Sequence, residues 1–445
     1  MIPIKQVLLH LEETVTVQGW VSKVHALKKH CFIHLRDGVA KEDRIQVVSP
    51  LLDGLYPESF IEVTGKVSAL PKGAFSYQPV ELHSTSVKII GKSSATVTTI
   101  CPVDAGPELR LDERPLFIRH EQHALIVKMR AELMRALRRT FEDMGCTEIL
   151  PPFFVSNQCE GGATLFKLKH PSATSDDMDA FLTQSSQFYL EYCVPAVGDC
   201  YCIGPSFRAE RSHTRRHATE YIHAETEWKG VYTLEQHLDK LRIMMQSILE
   251  YFLKYTRAYL EQYDSVASTK LLQRVEMLKE MTKDILVLTH REAIDYCNKH
   301  GILKDDKEAF TYHDDIPESS ERKMIDKIGK IVFLCKFPLA HKSFYMAADP
   351  KEPHLSWGCD VEVPGVGEVV GSGVRVADYE ELRLRLKDEG LKESDYKDYL
   401  DLRKYGPGQT SGMGLGVDRL LTWLLDQYTI RDVITFPRYP GRVSP

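Results

Sequence analysis

Long apolar runs are missing from this 445-residue chain. None approaches the roughly 20 residues that a membrane-crossing helix needs, so no membrane partner is expected. The opening MIPIKQVLLHLEETV is too acidic and too soon interrupted for a signal or transit peptide. Cysteine pairs are missing as well: ten cysteines are scattered, and only Cys200 and Cys202 lie close together. That pattern argues against a disulfide framework or a zinc site and suits reduced thiols in a cytoplasmic protein. There is no excess of positive charge, since 57 Lys and Arg face 63 Asp and Glu for a net charge of -6. Any nucleic-acid surface must therefore be local. Internal repeats and low-complexity tracts are absent too. Two glycine-rich phosphate motifs also fail. Ser86 stands where a P-loop leading to Gly91-Lys92-Ser93 needs its first glycine, and GMGLGVDR lacks GxGxxG spacing.

What remains is an ordinary globular composition, 43% hydrophobic and 27% charged, with length for two or three domains. Residues 1 to about 92 read as short β-segments separated by Gly, Pro and polar turns, which suggests a small closed barrel. The stretch GKSSATVTTICPVDAGPELRLDERP lacks helical periodicity and reads as a linker. Leu125, Met129, Leu133, Leu137 and Phe141 then recur every four residues and predict an amphipathic helix ending near Gly145. TEILPPFFV reads as a strand with a proline-marked irregularity. Residues 229 to about 262 read as helix, with Leu241, Met245, Ile248, Leu249 and Phe252 on one side. Further on, IVFLCKF, SFYMAA and CDVEVPGVGEVVGSGVRV read as β-segments among charged helices. SGMGLGVDR reads as a glycine-rich turn running into the helix LLTWLLDQY.

Chemistry concentrates in SFRAERSHTRRHATEYIHAETEW, residues 206 to 228. Both ends alternate apolar and charged residues, so the stretch reads as two strands joined by a polar loop. Arg208 and Glu210 would share one strand face, and Tyr221, His223, Glu225 and Glu227 one face of the partner. A solvated charged hairpin is the plain alternative; a site for an anionic, ring-bearing ligand uses the arrangement better. Asp418-Arg419 at a helix start could clamp phosphate oxygens, or simply end a packed turn. Asp360, Glu362 and Glu368 on β-like segments suit magnesium shared with phosphates, or cross-strand salt bridges. LTQSSQFYLEYC offers Gln184 and Gln187 at a polar strand end, or an ordinary capped turn.

Three stretches in order and spacing then resemble the motifs of class II aminoacyl-tRNA synthetases: GCTEILPPFF, SFRAERSHTRRHATEY and GMGLGVDRLLTWLL. The likeness covers essentially the whole chain and falls in the aspartate, asparagine and lysine subclass. CEGGATLFKL, LTQSSQFYLE, KSFYM and YTIRDVITFPR are similar to stretches of its eukaryotic-type cytosolic asparaginyl branch. The resemblance implies an α+β fold. Residues 1–95 would form an OB-fold anticodon-binding barrel, 96–120 a hinge, and 121–445 a class II catalytic domain with a mostly antiparallel sheet flanked by helices.

It also implies roles. Arg208, Glu210 and Arg419 would be catalytic. Arg208 would meet the ATP α-phosphate and Arg419 the γ-phosphate, with Arg216 and His217 nearby and Tyr221 stacked on adenine. Glu368, aided by Asp360, would hold Mg2+. Glu160 and Gln187, the latter on a strand, would grip the amino acid's ammonium, and Arg375 its side-chain oxygen. Asp418 stands where the family usually has glutamate. Aspartyl enzymes carry a lysine at the position of Leu190 and an aspartate at that of Glu225. Losing the lysine and gaining a longer carboxylate favours asparagine over aspartate. In the barrel, Phe32 would stack a base, Gln46 would read the middle uridine, and Glu81 would add a contact. Lys28, Lys29 and His30 would supply local positive charge. Without the resemblance, Phe32 reads as barrel core.

The implied activity is ATP-dependent activation of asparagine and its transfer to the 3′ end of tRNA(Asn), by a homodimer joined at the motif 1 helix and Pro152. No residue stands out as a general base, so a substrate phosphate oxygen is the expected proton acceptor. The rivals are an aspartyl enzyme, an ATP-dependent asparagine synthetase, and a non-catalytic tRNA-binding relative.

Overall fold

The computed structural model describes residues 1–73, 76–156, 159, 164–171, 177–209, 211, 214–406 and 408–444. They divide into two compact units, residues 1–129 with 258–269, and residues 130–257 with 270–444.

The first unit is built on a closed barrel. Its strands are β1 (Thr14–Ala26), β2 (His30–Arg36), β3 (Arg44–Pro50), β4 (Phe60–Ala69) and β5 (Val80–Gly91), in the order β1-β2-β3-β5-β4. Alternation decides what faces in. On β2, Cys31, Ile33 and Leu35 are buried, while His30, Phe32, His34 and Arg36 face out. Val17, Val21, Ile45, Val47, Ile61, Val63 and Leu82 complete the core, with Ile4 and Val7 of the 3-10 helix Ile4–His10 packed against them. The segment read as a linker carries three short helices, Val97–Ile100, Pro107–Asp112 and Arg114–Phe117. One turn each is too little for periodicity to show.

Helix Glu121–Asp143 forms as its spacing predicts, and its five periodic residues are all fully buried. Gly145, at φ 77°, takes the left-handed conformation that ends it.

The second unit holds an eight-stranded sheet. In chain order its strands and those of a small three-stranded sheet are β6 (Thr147–Glu148), β7 (Phe154–Val155), β8 (Lys167–His170), β9 (Met178–Leu182), β10 (Cys200–Phe207), β11 (Glu220–Lys229), β12 (Leu286–Thr289), β13 (Val332–Cys335), β14 (Gly358–Val363), β15 (Gly367–Val374) and β16 (Thr410–Gly416). The large sheet runs β12-β13-β14-β15-β16-β11-β10-β6, antiparallel except at its two ends; β7-β9-β8 form the small one. Helix Leu234–Ala267 buries Leu241, Met245, Ile248, Leu249 and Phe252. Nine of the ten cysteines are buried.

Three expectations need correction. TEILPPFFV is not one strand: Pro151 and Pro152 separate β6 from β7, which belong to different sheets. Proline gives no N–H to a ladder, so pairing stops there. SGMGLG is not a turn but strand β16, in the middle of the large sheet. Gln187 is not on a strand but opens helix Gln187–Val197.

Candidate active site

Strands β10 and β11 form the expected hairpin, with Ser206 opposite Tyr221 and Cys202 opposite Glu225. Arg208 lies one residue beyond β10, its N–H bonded to the Thr219 carbonyl at 3.1 Å. On the other side β11 pairs with β16, setting His223, Glu225 and Glu227 opposite Gly416, Gly414 and Gly412. A Cβ at Gly412 would overlap Glu227 and Arg375, and one at Gly414 would overlap the His223 ring. The glycines are thus space for charged side chains on the neighbouring strands.

Two adjoining cavities open over this part of the sheet. The first, about 100 Å³, is lined by Arg208, Arg216, His217, Tyr221, Glu368 and Arg419, with His223 and Asp418. The second, about 310 Å³, is lined by Gln187, Leu190, Glu225 and Arg375, with Ser185, Lys342 and Asp360. Arg208, His223, Glu368 and Gly414 face both. The residues assigned from sequence to ATP and to the amino acid therefore gather in two connected chambers. Glu160 and Glu210 lie outside the described residues.

The first chamber is strongly cationic. Arg208 lies 5.8 Å from the Tyr221 ring. Arg419 Nη1 donates to the Glu368 carbonyl at 3.0 Å and contacts its carboxylate at 3.3 Å. Arg216 donates to the Val366 carbonyl at 2.9 Å and pairs with Glu318 at 3.3 Å. Burial, then Arg419, pull the Arg216 pKa down. Asp418 faces Arg130 and accepts from the Ile222 N–H at 3.1 Å. The carboxylate that departs from the family pattern thus ties its helix to neighbouring elements.

The second chamber balances acids against bases. Glu225 accepts from Ser185 Oγ and, at 2.9 and 3.1 Å, from the Ser186 N–H. Arg375 is buried against Glu227, with Nη2 to Oε2 at 3.0 Å. Burial lifts the Glu227 carboxyl to about 7, against the opposing pull of Arg375. Lys342 Nζ sits 2.6 Å from Asp360. Lys342, in the stretch KSFYM, has no role legible from sequence. Glu191, behind Gln187, is not legible either, because a strand there hides the i,i+4 pairing that a helix creates.

For a divalent cation, Asp360 and Glu368 converge over Gly371, whose Cβ would lie 3.9 Å from Asp360 Oδ1 and 3.1 Å from Glu368 Oε1. Burial raises the Asp360 pKa to about 6, with Lys342 opposing. Burial would raise Glu368 too, but Arg419, Lys342, Arg216 and Arg208 hold it below its ordinary value. Among the described residues no three His, Cys, Asp or Glu form a metal cage. Two carboxylates in a cleft built for anions fit magnesium, which takes one or two carboxylates and completes its shell with phosphates and water.

In the barrel, Phe32 belongs to the outer face rather than the core, with His30 edge-on to its ring at 5.3 Å. Gln46 Nε2 donates to Glu81 at 2.9 Å, and Glu81 also meets His83 at 2.9 Å.

The model for class II tRNA synthetases (D, K and N) matches residues 106–440, and that for the OB-fold nucleic acid binding domain matches residues 15–90. The chain belongs to the class II aminoacyl-tRNA synthetases of aspartate, lysine and asparagine. Within that class, several relatives are cytoplasmic asparagine–tRNA ligases. The cytoplasmic asparagine–tRNA ligase of Debaryomyces hansenii is 36% identical over 444 residues, covering 97% of this chain and 77% of the relative. That of Homo sapiens is 36% identical over 441 residues, with the same two shares. The Pyrococcus horikoshii asparaginyl-tRNA synthetase complexed with asparaginyl-adenylate superposes with a TM-score of 0.87 at 31% identity, covering 98% of this chain and 97% of that one. A putative aspartyl-tRNA synthetase from Leishmania major, at 20% identity and a TM-score of 0.82, shares the fold. No helix among the described residues is long and apolar enough to cross a membrane.

Proposed function

We propose that this chain is an asparagine–tRNA ligase that activates asparagine with ATP and esterifies it to the 3′ end of tRNA(Asn). The observation that carries this reading is the second chamber: Leu190 offers no positive charge, and a buried Glu225 carboxylate faces the same space as Arg375. Arg375, held by Glu227 at 3.0 Å, presents its remaining hydrogen-bond donors to the chamber, which suits an amide oxygen. An aspartate carboxylate would meet Glu225 without a compensating lysine.

ATP is assigned to the first chamber, with adenine at Tyr221 and the phosphates among Arg208, Arg216, His217 and Arg419. The asparagine carboxylate oxygen attacks the α-phosphorus as the bond to the pyrophosphate oxygen breaks. Arg208, facing both chambers, neutralises charge on the α-phosphoryl oxygens, while Arg419 holds the departing end. Mg2+ would be held by Glu368 and Asp360 and would supply charge neutralisation to the phosphates. In the second step the terminal ribose hydroxyl attacks the activated carbonyl carbon and AMP leaves, a substrate phosphate oxygen taking the proton. Gln187 meets the α-ammonium; Glu160 and Glu210 belong to the same family assignment.

Residues 1–95 are assigned to the anticodon through Phe32, Gln46 and Glu81, residues 121–445 to catalysis, and residues 96–120 to their connection. A homodimer joined near Pro152 is supported by the exposed apolar run beside it, where Leu150 is 90% exposed and Phe154 58%.

Pyrophosphate exchange with ATP, without tRNA, tests the reading. Exchange with asparagine and not aspartate is expected. Exchange with aspartate at comparable kcat/KM would overturn the specificity, and no exchange with either would overturn the activity.

A further inference from the structure

Behind the second chamber stands a buried carboxylate that lines neither substrate cavity. Glu191 lies one helical turn after Gln187, on the same helix face. Gln187 Nε2 donates to Glu191 Oε1 at 3.0 Å. On its far side Glu191 accepts from Tyr399 Oη at 2.8 and 3.0 Å and from Arg403 Nη2 at 2.5 Å. Arg403 is fixed in turn by Nε donating to the Val376 carbonyl at 3.0 Å, and the Tyr399 ring stacks on Phe188 at 4.1 Å. Glu191 is 2% exposed.

We propose that Glu191 is a positioning residue that locks the Gln187 side-chain amide with its oxygen toward the amino-acid chamber, making that chamber selective for a primary ammonium. The inference rests on the asparagine-binding reading of this chamber. A carboxylate accepts hydrogen bonds and donates none, so only the NH2 end of a glutamine amide can face it. The amide is planar, and committing its nitrogen to Glu191 turns its oxygen the other way. Without that lock, the amide could turn its NH2 toward the ligand's ammonium, donor against donor. Tyr399 and Arg403 hold Glu191 from a different part of the chain, and Arg375 Nε lies 3.9 Å from Glu191 Oε1, so the polarity of the Gln187 amide is set mainly by two groups that never touch substrate.

The test is an exchange of the two side chains. In Glu191→Gln, the oxygen of the introduced amide keeps accepting from Tyr399 and Arg403. Its NH2 then faces Gln187 and draws the Gln187 oxygen away from the ligand. The asparagine KM in pyrophosphate exchange should rise about tenfold or more, with the ATP KM unchanged and kcat within about threefold. Adding Gln187→Glu restores an acceptor facing the ammonium and returns the two original side chains in swapped order. This double variant should recover an asparagine KM within about threefold of the parent. A merely structural role for Glu191 predicts no such recovery. An unchanged asparagine KM in Glu191→Gln, an equal rise in the ATP KM, or no recovery in the swap would each overturn the proposal. Should Glu191→Gln fail to fold, Tyr399→Phe leaves Glu191 paired with Arg403; it should raise the asparagine KM alone by about threefold, and no rise would overturn the proposal. Gln187→Ala separates the two levels. If it raises the asparagine KM while Glu191→Gln does not, the lock fails and the site reading stands. If it does not, the assignment of Gln187 itself fails.

Discussion

At Glu227 one side chain carries a conflict between solvation and charge. The carboxyl is fully buried, which favours its neutral form, while Arg375 at 3.0 Å favours the anion. Burial wins, and its pKa rises from the ordinary 4.5 to about 7. Between those values the folded protein holds a proton that the unfolded chain has released. The stability this group contributes is therefore complete below about pH 4.5 and is lost as pH rises through about 7. Glu227→Gln, which cannot titrate, should flatten the fall in stability across that window. Urea midpoints of parent and variant at pH 4.5, 5.5 and 7 decide it; parallel falls would remove Glu227 from the account. Little of this pairing was legible beforehand. The charges of 206–228 stand in the sequence, but Arg375 lies 148 residues from Glu227. Only the order β15-β16-β11, with a glycine strand between the two, brings them together.

Elements differ in how much of themselves they show in sequence. Helix Glu121–Asp143 was readable because a surface helix must bury one stripe, and its five periodic residues are that stripe. The β10–β11 hairpin was readable for the matching reason, period-two alternation. Strand β16 was not, because glycine signals a turn by default and says nothing about what fills the space it leaves. The same local reading put Gln187 on a strand, although helix Gln187–Val197 begins there. Steric exclusion at β16 can be tested directly. Gly414→Ala drives a methyl into the His223 ring, which faces both chambers. It should cost about 1–3 kcal/mol of stability through overpacking and raise the KM for ATP and asparagine together. Thermal unfolding alongside pyrophosphate exchange would check this. A rise for only one substrate would mean that His223 does not sit between the two.

Over the whole molecule, the barrel and the larger unit are assigned separate chemistry. The barrel was legible from its short alternating strands, but the side of β2 that Phe32 occupies was not. Alternation fixes which residues share a face, and only the closed barrel fixes which face is inside. Phe32 on the outer face is a large flat ring that the core does not require, and the neighbouring strands carry a Gln46–Glu81 pair of fixed polarity. If it stacks a base, Phe32→Ala should cost about 1–3 kcal/mol of tRNA binding while the barrel stays folded, since its core loses nothing. Charging of tRNA should weaken through the KM for tRNA, and asparagine-dependent pyrophosphate exchange without tRNA should match the parent. Equal losses in both assays would mean that Phe32 supports the fold, and unchanged tRNA binding would move the anticodon contact to another face of the barrel. The salt dependence of binding separates stacking from charge. Losing a neutral ring should lower affinity by the same factor at every ionic strength, whereas losing a phosphate contact would make the salt slope shallower.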